Sequence, residues 1–223
     1  MPDVRAMWRN RAFEAVFGAA YNFGIEHDWL AKPFGRAIFG TDAGLIYDAM
    51  AAVGAMPDGS AILDVPCGGG VAMRALRATQ RVRYVAADIS PTQLDRARRR
   101  AAERGLDTVE LVEADVERMP FPDGEFDLCL CFNGLHCLPD PAAAVREMAR
   151  CLRPGGRLVG DVAVRGERRR ADAWIAAARS AGIFGPSGTL TDVRAWLTAA
   201  GLEIRSLSTS GAVVHFTAAA PSE

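Results

Sequence analysis

The stretch Ala61–Leu76, AILDVPCGGGVAMRAL, constrains this chain more than any other. An apolar run, Ile62, Leu63 and Val65, meets a glycine cluster, Gly68-Gly69-Gly70, and a helix-like pattern follows. Strand, glycine turn and helix in that order form one wall of a ligand site in open α/β sheets. Pro66 stands where such a loop often carries its first glycine. Proline fixes φ near about −65° and lacks the N–H but keeps its carbonyl. The loop is therefore expected to keep negative φ at Pro66 and to offer a ligand that carbonyl.

The pattern downstream is regular. Ile62–Val65, Val82–Ala87, Val109–Val112, Phe126–Phe132 and Arg157–Val164 read as strands. Between them, Val71–Ala78, the stretch from Ser90 to Gly105, and Pro141–Leu152 read as helices. Ser90 is placed as N-cap with Pro91 at N1, and RPGG (Arg153–Gly156) as the turn into the fifth strand. Alternating strands and helices imply parallel pairing through right-handed crossovers. Thr191–Ala200 reads as a last helix capped by Thr191, followed by two strands, Leu202–Leu207 and Ala212–Ala218. The expected fold is a doubly wound, mostly parallel Rossmann-like α/β sheet of about seven strands, with one antiparallel strand near the C-terminus.

Residues 1–57 are rich in alanine and aromatics and are read as a helical N-terminal cap on the same domain. Phe13, Phe17 and Tyr21 recur every four residues, as on one helix face. Residues 58–223 form the sheet domain, with a possible lid at 165–190, where RGERRR precedes a helix carrying Trp174 and Ile175. Arg168, Arg169 and Arg170 read as a solvated helix start, or as a site for an acidic group.

A chain of 223 residues suits one domain. A formal charge of −1 offers no general attraction to nucleic acid or to an anionic membrane. No apolar run approaches the roughly 20 residues of a membrane span. Five cysteines (Cys67, Cys129, Cys131, Cys137, Cys151) lie in apolar stretches without a secretory pattern, which predicts a reducing, cytoplasmic setting. Cys129-x-Cys131 has no second pair and is not a zinc pattern. No metal site is expected.

Open sheets bind at the carboxyl ends of their strands, and polar residues gather there: Asp88-Ile89, Glu113-Ala114-Asp115-Val116, Asn133-Gly134-Leu135-His136 and Asp161. Asp88 follows Asp64 at about the spacing of a ribose-binding acid after a glycine loop. A dinucleotide fingerprint needs a glycine three positions beyond Gly70, and that residue is Met73. A ligand without a pyrophosphate is therefore the more natural one.

At this point the chain resembles the class I S-adenosylmethionine-dependent methyltransferases, over about Ser60 to Val164. LDVPCGGG is similar to their first motif, ADIS to the ribose motif, and EADVERMPFPDGEFDLCLCF to the adenine region. PDPAAAVREMARCLRPGGRLV is similar to their later helix–turn–strand. The resemblance implies S-adenosylmethionine as cofactor and S-adenosylhomocysteine as product. It implies that Asp64, Pro66, Cys67, Gly68 and Gly70 line the methionine moiety, and that Asp88 binds the ribose hydroxyls. Ile89 would pack on the adenine, Asp115 accept from its amino group beside the Val116 backbone, and Asn133 sit near the sulfonium. FNGLHC stands where many amide and exocyclic-amine methyltransferases carry Asn/Asp-Pro-Pro-aromatic, which argues against such acceptors.

His136 is the best candidate base, because imidazole titrates near neutrality. His27 and Tyr21 are weaker candidates, and His215 reads as structural. The apolar cap and lid imply a small lipophilic or aromatic acceptor as the partner. A non-catalytic cofactor-binding protein, an aminopropyltransferase and an NAD enzyme are the competing readings.

Overall fold

In the computed structural model, which describes residues 4–10 and 27–222, the glycine stretch leaves the centre of a seven-stranded sheet. The strands are β1 (Ala61–Asp64), β2 (Arg83–Asp88), β3 (Val109–Glu113), β4 (Phe126–Cys131), β5 (Leu152–Ala163), β6 (Glu203–Ser210) and β7 (Val213–Ala219). Their order is β3-β2-β1-β4-β5-β7-β6. The first five pair in parallel, and β7 runs antiparallel between β5 and β6. The chain reverses direction across the sheet at β1, between β2 and β4, so the switch point lies beside the glycine loop.

The helices follow from the apolar patterning. They are α1 (Val4–Arg9), α2 (Asp28–Phe34), α3 (Gly44–Gly54), α4 (Pro91–Glu103), α5 (Pro141–Cys151), α6 (Arg169–Ser180) and α7 (Leu190–Ala199). A single π-type turn, Gly35–Phe39, extends α2. One sheet face carries Leu63, Val85, Cys129 and Leu158 against α5 and α7. The other carries Ile62, Tyr84, Leu130 and Val159 against α3 and α4. Both faces of the central strands are dry, as continuous apolar runs require. Ser90 caps α4, accepting from the Gln93 amide, with Pro91 in its first turn.

Three local expectations are corrected. Val71–Ala78 is not a helix of that length but a short 3₁₀ turn, Val71–Ala75. The end of α3 takes the space: a side chain on Gly54 would meet the Ala75 carbonyl, and Gln80 donates to the Val53 and Met56 carbonyls. RPGG does not precede the strand but bulges within it, since Phe126 pairs with Leu152 and Leu128 with Arg157. The last helix is capped by Thr189, not Thr191. Asp192 stands three residues after Thr189 and bonds back to its amide, a reciprocal box that Thr191 cannot form with Arg194.

Phe13, Phe17 and Tyr21 lie outside the described residues. The insertion at 165–190 holds α6, whose Ile175 and Ala178 pack with Phe184 against Phe39 and Cys137. Cap and insertion therefore touch. No helix among the described residues is long and apolar enough to cross a membrane.

Candidate cofactor and active site

The loop after β1 is held from three sides. The Val65 amide donates to Leu130 O on β4, and the Cys67 amide to Ala87 O on β2. The Gly68 amide donates to Asp88 Oδ2 at 2.9 Å. Gly68 (φ 52°) and Gly70 (φ 76°) adopt the left-handed region, where a β-carbon is strained. The Val65–Pro66 peptide is cis, and Pro66 is not among the residues of positive φ. The Pro66 ring also explains Gly134: a β-carbon there would lie 2.5 Å from Pro66 Cδ. The exits of β1 and β4 are thus fitted to each other.

Asp88 ends β2 and is almost fully buried. Its Oδ2 takes the Gly68 amide and its Oδ1 the Ser90 amide, at 2.9 Å each. Burial nevertheless pushes its carboxyl up to about 6. Asp64 ends β1 beneath the loop and accepts from the Tyr84 hydroxyl at 2.8 Å, and burial pushes it up to about 7. Asp161, which sequence reasoning placed at a strand end without a role, accepts from the Asn133 amide at 3.0 Å. Its second oxygen is buried without a hydrogen-bond partner, and burial pushes it up to about 7. Asn133 itself takes a left-handed φ of 52° at the exit of β4. Asp64 and Asp88 at the ends of neighbouring strands, and Asp161 near the end of β5, put three buried carboxyls along this edge of the sheet, which favours a cationic ligand.

Pro66, Ile89, Asp115 and Val116 come together around one recess, as the motif spacing predicts. Its roof is α1, through Val4, Arg5 and Trp8. Arg5 Nε donates to Asp115 Oδ2 at 2.8 Å, Arg5 also pairs with Glu117, and the Glu117 amide donates to Asp115 Oδ1. Trp8 Nε1 donates to Ile183 O at 3.1 Å, so α1 straps the recess to the insertion. With α1 in place the free space is about 30 Å³, room for one or two waters and not for a purine. Sequence reasoning missed Arg5 and Trp8, which stand 110 and 175 residues from their partners Asp115 and Ile183.

His136 lies in the 3₁₀ turn Leu135–Cys137, buried against the Phe184 ring at 4.4 Å. The Ala163 amide donates to its Nδ1 at 3.2 Å. A backbone N–H only donates, so Nδ1 carries no proton and the neutral ring holds it on Nε2. Burial lowers the ring to about 4. His136 is therefore neutral at physiological pH. His27 stacks edge-on with Trp29 at 6.4 Å. His215 sits on β7 opposite Asp161. Cys67 is buried, and its thiol is pushed well above its usual range. No three or more His, Cys, Asp or Glu among the described residues are grouped to hold a metal ion.

A glycine loop, an acid at the end of the next strand and an apolar recess at the switch point mark the candidate ligand site of this doubly wound α/β domain. Residues 63–160 match the family model described as "Methyltransferase domain", and the matched segment runs from β1 into β5 of the doubly wound sheet. The chain is 35% identical over 116 residues to the 27-O-demethylrifamycin SV methyltransferase of Amycolatopsis mediterranei, a match covering 51% of this chain and 43% of that one. It is 42% identical over 101 residues to the demethylmenaquinone methyltransferase of Clavibacter sepedonicus, covering 45% and 40%. The matched part thus spans well under half the length of these relatives. Among solved structures, the [4+2]-cyclase SpnF superposes with a TM-score of 0.69 at 22% identity, covering 82% of each chain. That likeness concerns the fold.

Proposed function

We propose that the chain binds S-adenosylmethionine at the carboxyl edge of β1, β2 and β4 and transfers its methyl group to a small lipophilic or aromatic acceptor. The observation that carries this reading is the Asp88 carboxylate. It is locked to the Gly68 amide of the glycine loop and stands beside a recess walled by Pro66, Ile89, Asp115 and Val116. The residues present fit the cofactor. Asp88 has further lone pairs for two vicinal hydroxyls, Ile89 and Val116 offer apolar walls to a purine, and the buried carboxyls favour a sulfonium and an ammonium. Met73 is fully buried, and its Sδ stands 3.1 Å from where a β-carbon on Gly70 would be. That packing leaves no third glycine for a pyrophosphate, against the NAD reading.

S-adenosylmethionine, when bound, supplies a methyl carbon already activated by positive sulfur. The protein's part is to orient the acceptor and exclude water, and orientation alone is worth about 7–11 kcal/mol. The cap and the insertion, meeting at Phe39, Ile175 and Phe184, provide the apolar cover. His136 holds a proton on Nε2 and so donates to the acceptor; it does not take the acceptor's proton. The acceptor is then one that ionises on its own, such as an acidic phenol or enol. The names of the two relatives, a rifamycin and a demethylmenaquinone methyltransferase, agree with a lipophilic aromatic class. Turnover against a panel of phenols, enols, amines and carboxylates tests this. Cofactor binding with no turnover of any member would favour a non-catalytic binding protein.

Two predictions belong to this site. Arg5 and the adenine amino group compete for one carboxylate, and the roofed recess is too small for a purine, so α1 must shift on binding. Arg5→Ala is expected to tighten S-adenosylhomocysteine binding by about 2–5-fold, the usual range of a partly exposed ion pair. Weaker binding in calorimetry would make Arg5 a cofactor contact instead.

The second prediction concerns pH. Asp88 titrates near 6, and Asp64 and Asp161 near 7, each above its unfolded value because burial disfavours the charge. Their contribution to apoprotein stability is full below about pH 4 and is lost as pH rises through 6 to 7. The ionised forms attract the cationic cofactor, so S-adenosylmethionine affinity should rise from pH 5 to 8 while the apoprotein melting temperature falls. His136, lowered by burial, works oppositely on stability between about pH 6.5 and 4 and offsets one of the three. Parallel calorimetry and thermal melts check both slopes. An affinity independent of pH would remove the carboxyls from the site.

A further inference from the structure

The large hydrophobic side chains that stand well out of the surface all belong to the cap or the insertion. Trp29 is 66% exposed, Phe34 45%, Leu45 41% and Trp174 40%, and among the described residues the body of the sheet domain has no counterpart. Phe34 and Trp174 come from segments about 140 residues apart and meet edge to face at 5.4 Å. Trp29, Pro33 and Ala37 follow at four-residue intervals along α2 and its π-type extension, all exposed. Ala173, Trp174 and Ala177 continue the apolar surface on α6. Aromatic surface left in water this way costs free energy and marks an interaction site.

The charges around it are mainly positive. Arg169 and Arg170 are exposed at the start of α6, Arg168 lies across Gly40, and Lys32 is on α2. Of the nearby acids, Asp42 is paired with Arg36 and Asp172 accepts from the Gly166 amide; Glu167 is exposed, and Asp28 opens α2. The chain as a whole carries −1, so this cationic face is a local feature. Tryptophan and phenylalanine rimmed by arginine and lysine suit the headgroup boundary of an anionic bilayer. The rings enter the interface and the cations meet the phosphates.

We infer that the α2–α6 face docks on anionic lipid, so that a lipophilic acceptor enters from the bilayer between cap and insertion. The delivery of an acceptor rests on the lipophilic-acceptor reading above; the docking itself does not, and it is tested without any acceptor.

The test is co-sedimentation of the full chain with vesicles of phosphatidylglycerol and phosphatidylcholine in equal parts, and with phosphatidylcholine alone. Binding to the anionic vesicles is expected, at least about tenfold weaker on phosphatidylcholine, with a blue shift of tryptophan emission. Trp29→Ser, Phe34→Ser and Trp174→Ser combined should lose binding to both vesicles by about tenfold or more. Arg169→Glu with Arg170→Glu should lose only the preference for the anionic vesicle. Calorimetry with S-adenosylhomocysteine on the same samples should be unchanged, which keeps failure of the docking separate from failure of the methyltransferase reading. Absence of vesicle binding by the unaltered chain overturns the inference, as does binding unaffected by the triple aromatic change. A concentration-dependent dimer that the triple change abolishes, without vesicle affinity, assigns the face to a second copy and overturns it equally.

Discussion

Replacing Asp88 with alanine is expected to weaken S-adenosylhomocysteine binding by about 100-fold or more. A hydrogen bond to a charged group contributes about 1.5–3 kcal/mol, and a ribose offers Asp88 two of them. The same substitution deprives the Gly68 and Ser90 amides of their acceptor, so the glycine loop keeps only the Cys67–Ala87 bond as its tie to β2. Asp88→Asn separates these effects. The amide oxygen keeps one acceptor at nearly the same shape, so loop and fold should survive while affinity falls by an intermediate factor. Calorimetry on the three proteins, with circular dichroism as the check on folding, reads the result. An affinity unchanged in Asp88→Ala would mean that the ribose lies elsewhere.

The second large effect is at Gly134. Its φ of −95° is open to any residue, so the requirement for glycine is steric. A β-carbon would meet Pro66 Cδ at 2.5 Å, Pro66 Cγ at 2.7 Å and Cys131 Sγ at 3.1 Å. Gly134→Ala should therefore cost about 1–3 kcal/mol of stability, as overpacking does, and displace the cofactor loop. Pro66→Gly removes the ring that is struck. Alone it should change cofactor affinity only a few-fold, since the loop is held by the Val65, Cys67 and Gly68 amides and not by Pro66. Combined with Gly134→Ala it should restore much of the lost stability. The pair should be strongly non-additive in denaturant melts. Additive losses would show that the two loops are not fitted to each other.

The sheet was legible because its signals are local. Buried parallel strands are largely apolar runs, and Ile62–Val65 and Val82–Ala87 each lie within one residue of an observed strand, as does Val109–Val112 at the sheet edge. Gly68, Asp88, Ile89, Asp115 and Val116 follow from strand ends, because strand ends fix where side chains gather. What was not legible depends on contacts between distant segments. Val71–Ala78 looks helical by composition, and only α3, packed over it, limits it to one short turn. RPGG carries turn chemistry, yet its flanks pair with β4 on both sides. The charge state of His136 was not legible, because imidazole usually titrates near neutrality. The Ala163 amide, 27 residues on, fixes its tautomer, and burial removes its charge. The Thr189 box is the exception: T-x-x-D was present in the sequence and names the cap correctly.

The most direct measurement is calorimetric titration of the unaltered chain with S-adenosylmethionine, S-adenosylhomocysteine and NAD. Saturable one-site binding of the first two, competitive with each other, is predicted, with no measurable binding of NAD. Tight binding of NAD with none of S-adenosylmethionine or S-adenosylhomocysteine would contradict it.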